Sequence, residues 1–199
     1  AMDFVQADPE LGNILRQFDR INNTYLFRIM QEGPEEKLQD TQFTQPAILF
    51  HSIAALRTMQ KEFYIKPDFV AGHSLGEFTA LVANGVLDLS DAMYLVHKRG
   101  KYMIEANDGQ PFAMAAIIGP DSETVAKICE EASLFGVVVA ANFNTPVQTV
   151  ISGSKAGVDK ACELLKETGA KRIVPLAVGG PFHSPLIERA GSWLAIELD

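Results

Sequence analysis

Between residues 112 and 178 strand-like and helical runs alternate in an order that few folds accommodate. FAMAAIIG (112–119) reads as a strand and residues 122–132 as a helix. GVVVAANF (136–143) and VQTVISG (147–153) read as two strands around Asn144-Thr145-Pro146, a turn-forming cluster. Residues 155–168 are helical in pattern, and AKRIVPLAV (170–178) is a final strand. The order is βαββαβ.

That order reads as a ferredoxin-like unit. A loop and a helix, residues 179–198, follow it, so the unit is expected as an insertion. The remainder is helix-rich. Residues 9–22 place Leu11, Ile14, Leu15, Phe18 and Ile21 at helical spacing. Residues 31–44 are polar, with Gly33-Pro34, and predict a connection holding at most a short helix. Thr44-Gln45-Pro46 is expected to open a helix to about Phe63, because proline suits a first helical turn. Residues 68–71 then predict a short buried strand running into Gly72. A helix follows Ser74 and stops at Gly85, and another starts at Ser90-Asp91 and ends near Asn107-Asp108-Gly109. Helix, strand, helix, helix is an α/β pattern. The expected organisation is a larger α/β part, residues 1–110 and 179–199, and a smaller ferredoxin-like part, residues 111–178.

The chain has 199 residues, 47% of them hydrophobic, and a formal charge of −8. That is enough apolar material for a core, and without a basic block it argues against nucleic acid as a partner. No apolar run approaches the ~18–20 residues of a membrane span, and residues 1–20 show no basic-then-apolar leader. Cys129 and Cys162 sit in helical patterns outside any C-x-x-C pair, and read as buried, reduced thiols of a cytoplasmic protein. There is no metal-ligand spacing, P-loop or G-x-G-x-x-G, so neither a metal nor a cofactor is expected.

Chemistry concentrates in Gly72-His73-Ser74-Leu75-Gly76. G-x-S-x-G between a strand and a helix is the pattern of a serine on a sharp turn, with its oxygen exposed and a helix N-terminus behind it. Small neighbours are expected because such a turn is crowded. The free N–H groups of the helix favour developing negative charge, and the Leu75 N–H is the expected oxyanion donor. A nucleophilic serine needs a base. His51 lies inside a helix and reads as a partly buried structural histidine. His97, among charged residues, reads as solvated. His73, inside the turn, is too constrained to serve its neighbour and is assigned to the substrate site. His183 lies in Gly179-Gly180-Pro181-Phe182-His183-Ser184-Pro185, a Gly/Pro-fixed loop after an apolar strand, where a positioned base belongs; a histidine that merely caps the next helix is the other reading. In residues 91–106, Ala92, Leu95, Val96, Met103 and Ala106 form an apolar stripe, and Arg99 falls on it. A buried guanidinium needs an anion: either an internal salt bridge or a substrate carboxylate held bidentately near Ser74.

Taken together, GHSLGEF, KRGKYM, NFNTPVQTVISG and PFHSP resemble the malonyl-CoA:acyl carrier protein transacylase family, to which the acyltransferase domains of polyketide and fatty-acid synthases are related. The resemblance covers essentially the whole chain. It implies an α/β-hydrolase-like core with a parallel sheet, and transfer of a malonyl group from malonyl-CoA to the phosphopantetheine thiol of acyl carrier protein in fatty-acid biosynthesis. It further implies Ser74 as the acylated nucleophile and His183 as its base, oriented by a backbone carbonyl. Arg99 would clamp the malonyl carboxylate, the Leu75 N–H would donate to the oxyanion, and Phe182 and Met103 would line the substrate site. By the same resemblance Phe182 would favour malonyl over methylmalonyl, its ring narrowing the space an α-methyl would need. The family opens with a strand and a G-Q-G-S-Q loop, and this chain begins just past where that loop is expected; the family also continues beyond the helix in which the chain stops. A monomer is expected, with Lys171 and Arg172 as contacts for an acidic carrier. The rival readings are a polyketide-synthase acyltransferase acting in trans, or an editing acyl hydrolase (a thioesterase) using the same serine and histidine with water as acceptor.

Overall fold

The apolar spacing of residues 9–22 is realised as a helix that Asp8 caps, its side chain accepting from the Glu10 N–H. This and everything below comes from a computed structural model, which describes residues 2–198. The chain divides into two compact units, one running to Lys101 and the other beginning at Tyr102.

The first unit is built from α1 (Met2–Ala7), α2 (Pro9–Asn22), α3 (Leu26–Glu32), α4 (Glu35–Leu38), α5 (Thr41–Glu62), α6 (Leu75–Ala83) and most of α7 (Leu89–Glu105). Its core joins Leu11, Leu15 and Phe18 of α2 to Phe50 and Ile53 of α5 and to Met93 and Val96 of α7. Ile21, expected on the same stripe of α2, is exposed instead. Two further expectations fail here for identifiable reasons. Helix α5 starts at Thr41, where the Asp40 carboxylate accepts from the Gln42 N–H, so the cap sets the boundary and Pro46 lies inside the helix. Residues 68–71 are not a strand, and Phe69 is 94% exposed. An extended segment becomes a strand only by exchanging hydrogen bonds with a neighbour, and all four strands among the described residues lie between Phe112 and Pro175.

The second unit holds that sheet: β1 (Phe112–Ile118), α8 (Ser122–Ala132), β2 (Val138–Thr145), β3 (Gln148–Ser154), α9 (Lys155–Glu167) and β4 (Arg172–Pro175), followed by α10 (Glu188–Leu198). The strands run in the order β2-β3-β1-β4, every adjacent pair antiparallel. Met114 faces Ser152 across β1–β3, and Ala116 faces Val174 across β1–β4. This is the split βαβ arrangement that the βαββαβ order predicts. Alternation along the strands sends Ala115, Ile117, Ile151 and Val138 to one face, where Val125 and Cys129 of α8 and Val158, Ala161 and Leu165 of α9 cover them. Burial pushes the Cys129 thiol up to about 12 and raises that of Cys162 as well, which leaves both protonated and inert at neutral pH. No helix among the described residues is long and apolar enough to cross a membrane.

Candidate active site

Ser74 has φ 54° and ψ −106°, a conformation that glycine populates and side chains avoid. Its hydroxyl makes no capping bond to α6, although the residue stands at that helix's N-cap. Leu75 begins α6, so its N–H belongs to the group with no acceptor inside the helix. The crowding expected around the serine is real on one side only. A Cβ on Gly72 would overlap the carbonyl of Gly76, so the backbone must pass here without a side chain. Nothing lies within 4 Å of the position a Cβ would take on Gly76. The first glycine is therefore dictated by close approach, and the second by nothing among the described residues.

The stripe on α7 forms as expected: Ala92, Leu95, Val96, Met103 and Ala106 are all buried. Arg99 is half-buried on it. Its Nη1 donates to Gln45 Oε1 at 2.7 Å and its Nη2 to Ser74 Oγ at 3.0 Å, with the guanidinium carbon 5.8 Å from the centre of the Phe78 ring. Burial lowers its pKa from the ordinary arginine value, and the charge of Glu77 opposes that shift. No carboxylate among the described residues forms an ion pair with it. The internal salt bridge is thus not what satisfies this cation; two neutral oxygens are.

Two residues make this contact possible. Gly100, beside the arginine, lets α7 approach the first turn of α5 so closely that a Cβ would stand 2.6 Å from the Thr41 carbonyl oxygen. Pro46 has no N–H to give to the Gln42 carbonyl one turn earlier, and His97 Nδ1 donates to that oxygen instead, at 2.9 Å. His97 is therefore not solvated, as its charged neighbours suggest, but only 7% exposed, with its ring edge-on to Phe18. Burial lowers its pKa, the Gln42 bond opposing. His51 departs in the other direction: it lies in α5 but is exposed, tilted against Phe4. Gln45, 5% exposed, escaped the reading of the sequence. The signal was present, since it lies among Phe43, Pro46, Ala47 and Leu49 on a buried face, as Arg99 does among its own neighbours.

His73 is exposed and, with Ser74, Leu75 and Gly76, lines a cavity of about 620 Å³ that also reaches Ile48 and Ser52 of α5. His183, Phe182 and Met103 belong to the second unit. There the PFHS turn closes on itself: Ser184 Oγ donates to the Pro181 carbonyl at 2.7 Å, and the Ser184 N–H reaches the same oxygen at 3.3 Å. The turn holds His183 at φ 59° with its side chain exposed. Phe182 packs into a small core with Met103, Ala106, Ile187 and Ala190. A hydroxyl in a strained turn, a helix N-terminus behind it and a half-buried cation touching its oxygen form a set suited to acyl chemistry on a carboxylated substrate.

Comparison with known proteins agrees. The family described as acyl transferase domain matches residues 13–199. A protein of Haemophilus influenzae named malonyl CoA-acyl carrier protein transacylase is 48% identical over 175 residues, 87% of this chain and 56% of its own length. Among solved structures, an acyl carrier protein S-malonyltransferase from Vibrio cholerae is 40% identical with a TM-score of 0.91, covering 99% of this chain and 64% of that one. A malonyl-transacylase in complex with its type II polyketide synthase acyl-carrier protein is 41% identical with a TM-score of 0.90, at the same coverages. The chain therefore spans somewhat more than half the length of these relatives. On the match over residues 13–199 and on these likenesses, the chain belongs to the acyl transferase domain family.

Proposed function

We propose that this chain carries the serine centre of an enzyme that moves a malonyl group from malonyl-CoA to the phosphopantetheine thiol of acyl carrier protein, acting as a monomer in the cytoplasm, where those substrates meet. Ser74 Oγ attacks the thioester carbonyl as His183 takes its proton, and the oxyanion is stabilised by the Leu75 N–H. Coenzyme A leaves as a thiol, with the proton returned by His183. The malonyl-serine ester keeps its carboxylate on Arg99, and His73, Met103 and Phe182 bound the acyl group. The carrier's thiol then attacks the ester, giving its proton to His183, and Ser74 regains it as the tetrahedral intermediate collapses.

The observation that carries this reading is the 3.0 Å bond from Arg99 Nη2 to Ser74 Oγ. One methylene separates the malonyl carboxylate from the ester carbonyl, so a guanidinium that touches the serine oxygen has the reach for that carboxylate. The relatives' names, and the complex of one relative with its carrier protein, support the same donor and acceptor.

We also propose the finer architecture in which residues 68–71 pair within a parallel, α/β-hydrolase-like sheet of the larger part, residues 1–110 and 179–199, with residues 111–178 as the inserted part. The exposed Phe69 and the cavity beside Val70 and Ala71 support it.

The test is intact-mass spectrometry of the native protein after exposure to malonyl-CoA. One malonyl adduct is expected on the Ser74 peptide, discharged when carrier protein is added. No adduct would overturn the proposal, and rapid release of free malonate without carrier would assign a hydrolase. Arg99→Ala is expected to lower malonyl preference over acetyl by about 10- to 100-fold, the worth of a charge-assisted hydrogen bond.

A further inference from the structure

From the packing of α5 against α7 we infer that Gln45 sets the acyl specificity of the Ser74 centre by filling the place beside Arg99 with a neutral group that leaves its charge unspent. The inference rests on the clamp role proposed for Arg99.

A guanidinium of which a large part is withdrawn from water is ordinarily matched by a carboxylate, since an unpaired buried charge is costly. Here the place next to Nη1 is taken by an amide oxygen at 2.7 Å. The amide's orientation follows from its other end: Gln45 Nε2 donates to Thr41 Oγ1 at 3.0 Å. Turning the amide over would set its NH₂ against the guanidinium, donor against donor. Gln45 is buried, and Thr41 lies where Gly100 brings the two helices together, so neither partner of this chain of bonds is free to drift. Glu77 acts on Arg99 through space but makes no ion pair with it among the described residues.

The consequence is a division of labour within one side chain. Nη1 is fixed by a neutral acceptor that stays in place throughout. Nη2 sits on Ser74 Oγ in the absence of an acyl group and is the end that a substrate carboxylate takes over. Because the fixed partner carries no charge, the full positive charge remains available to that carboxylate. A glutamate at position 45 would keep the shape and the contact, and would spend the charge inside the protein.

The test compares Ser74 acylation by malonyl-CoA and by acetyl-CoA in single turnovers, followed by intact mass, for the native protein, Gln45→Glu, Gln45→Met and Arg99→Ala. Gln45→Glu is expected to lower the malonyl-to-acetyl ratio at least about 10-fold, towards that of Arg99→Ala. Its acetyl acylation, which makes no use of the cation, should fall less than its malonyl acylation. Gln45→Met fills the same volume without charge or acceptor and should hold the ratio within about threefold of native. A native ratio in a folded Gln45→Glu, with the ratio lost in Arg99→Ala, overturns the inference and leaves the clamp standing. A native ratio in Arg99→Ala overturns the clamp, and the inference with it. If Gln45→Glu does not fold, Gln45→Met decides: a ratio as low as that of Arg99→Ala shows that contact rather than charge matters, and overturns the inference.

Discussion

The sheet of the second unit and the segment that leads into Ser74 are both built on apolar runs, but they meet different fates. Between Phe112 and Pro175 each strand has its neighbours within reach in the same unit, and the alternation of Ala115, Ile117 and Ile151 with outward residues is satisfied by α8 and α9. Residues 68–71 have no strand beside them among the described residues, and Phe69 stands in the open. An apolar sequence is therefore a request for a partner, and whether it becomes structure depends on who answers. The serine turn at the end of that segment forms nonetheless, because what shapes it is local: the backbone contact between Gly72 and Gly76, and the start of α6.

This contrast can be broken most forcefully at the turn. Gly72→Ala is expected to cost at least about 3 kcal/mol, at the upper end for overpacking, because its Cβ would meet backbone rather than a movable side chain. Gly76→Ala, in open space on a helix, is expected to be neutral or to stabilise by roughly 0.5–1 kcal/mol. Urea unfolding of the two variants checks both; equal costs would refute the local origin of the turn. Next in size is a pair across the units. Ile151→Ala should cost about 2–5 kcal/mol, as a large-to-small change in a full core. Phe69→Ser should cost clearly more than the about 0.5 kcal/mol of an exposed site if residues 68–71 pair in the parallel sheet proposed above, and a cost within that limit would overturn the pairing.

The smallest effect concerns His97. Its folded-state pKa lies below the ordinary 6.5 because burial disfavours the charged ring. The unfolded chain therefore binds the proton more readily. Stability is fully present above pH 6.5 and is lost as the pH falls through the lowered folded value. Equilibrium unfolding measured from pH 7 downwards should show that slope, and His97→Gln, which keeps a donor for the Gln42 carbonyl, should reduce it.

What the sequence made legible follows the same division. The βαββαβ order could be read because local alternation and turn chemistry coincide with the final pairing. Ser74 can be read from the G-x-S-x-G pattern, and Arg99 because a polar group stands where spacing predicts burial; the structure places the two in contact. Residues 68–71 form no strand among the described residues because pairing is not a local property. The start of α5 was misplaced because the proline signal at Pro46 was weighed above the Asp40 cap. His97 looked solvated because Lys98 and its neighbours are charged, whereas the decisive fact, an unanswered carbonyl on another helix, is visible only once α5 and α7 are side by side.

That carbonyl has a bearing on how the molecule assembles. Helix α5 cannot close its own ladder at Gln42, because Pro46 withholds the hydrogen, and the missing bond arrives from His97, two residues before Arg99. The contact that completes one helix thus lies two residues from the guanidinium that reaches Ser74. One packing contact between α5 and α7 therefore serves both the backbone of one helix and the place of Arg99 beside Ser74.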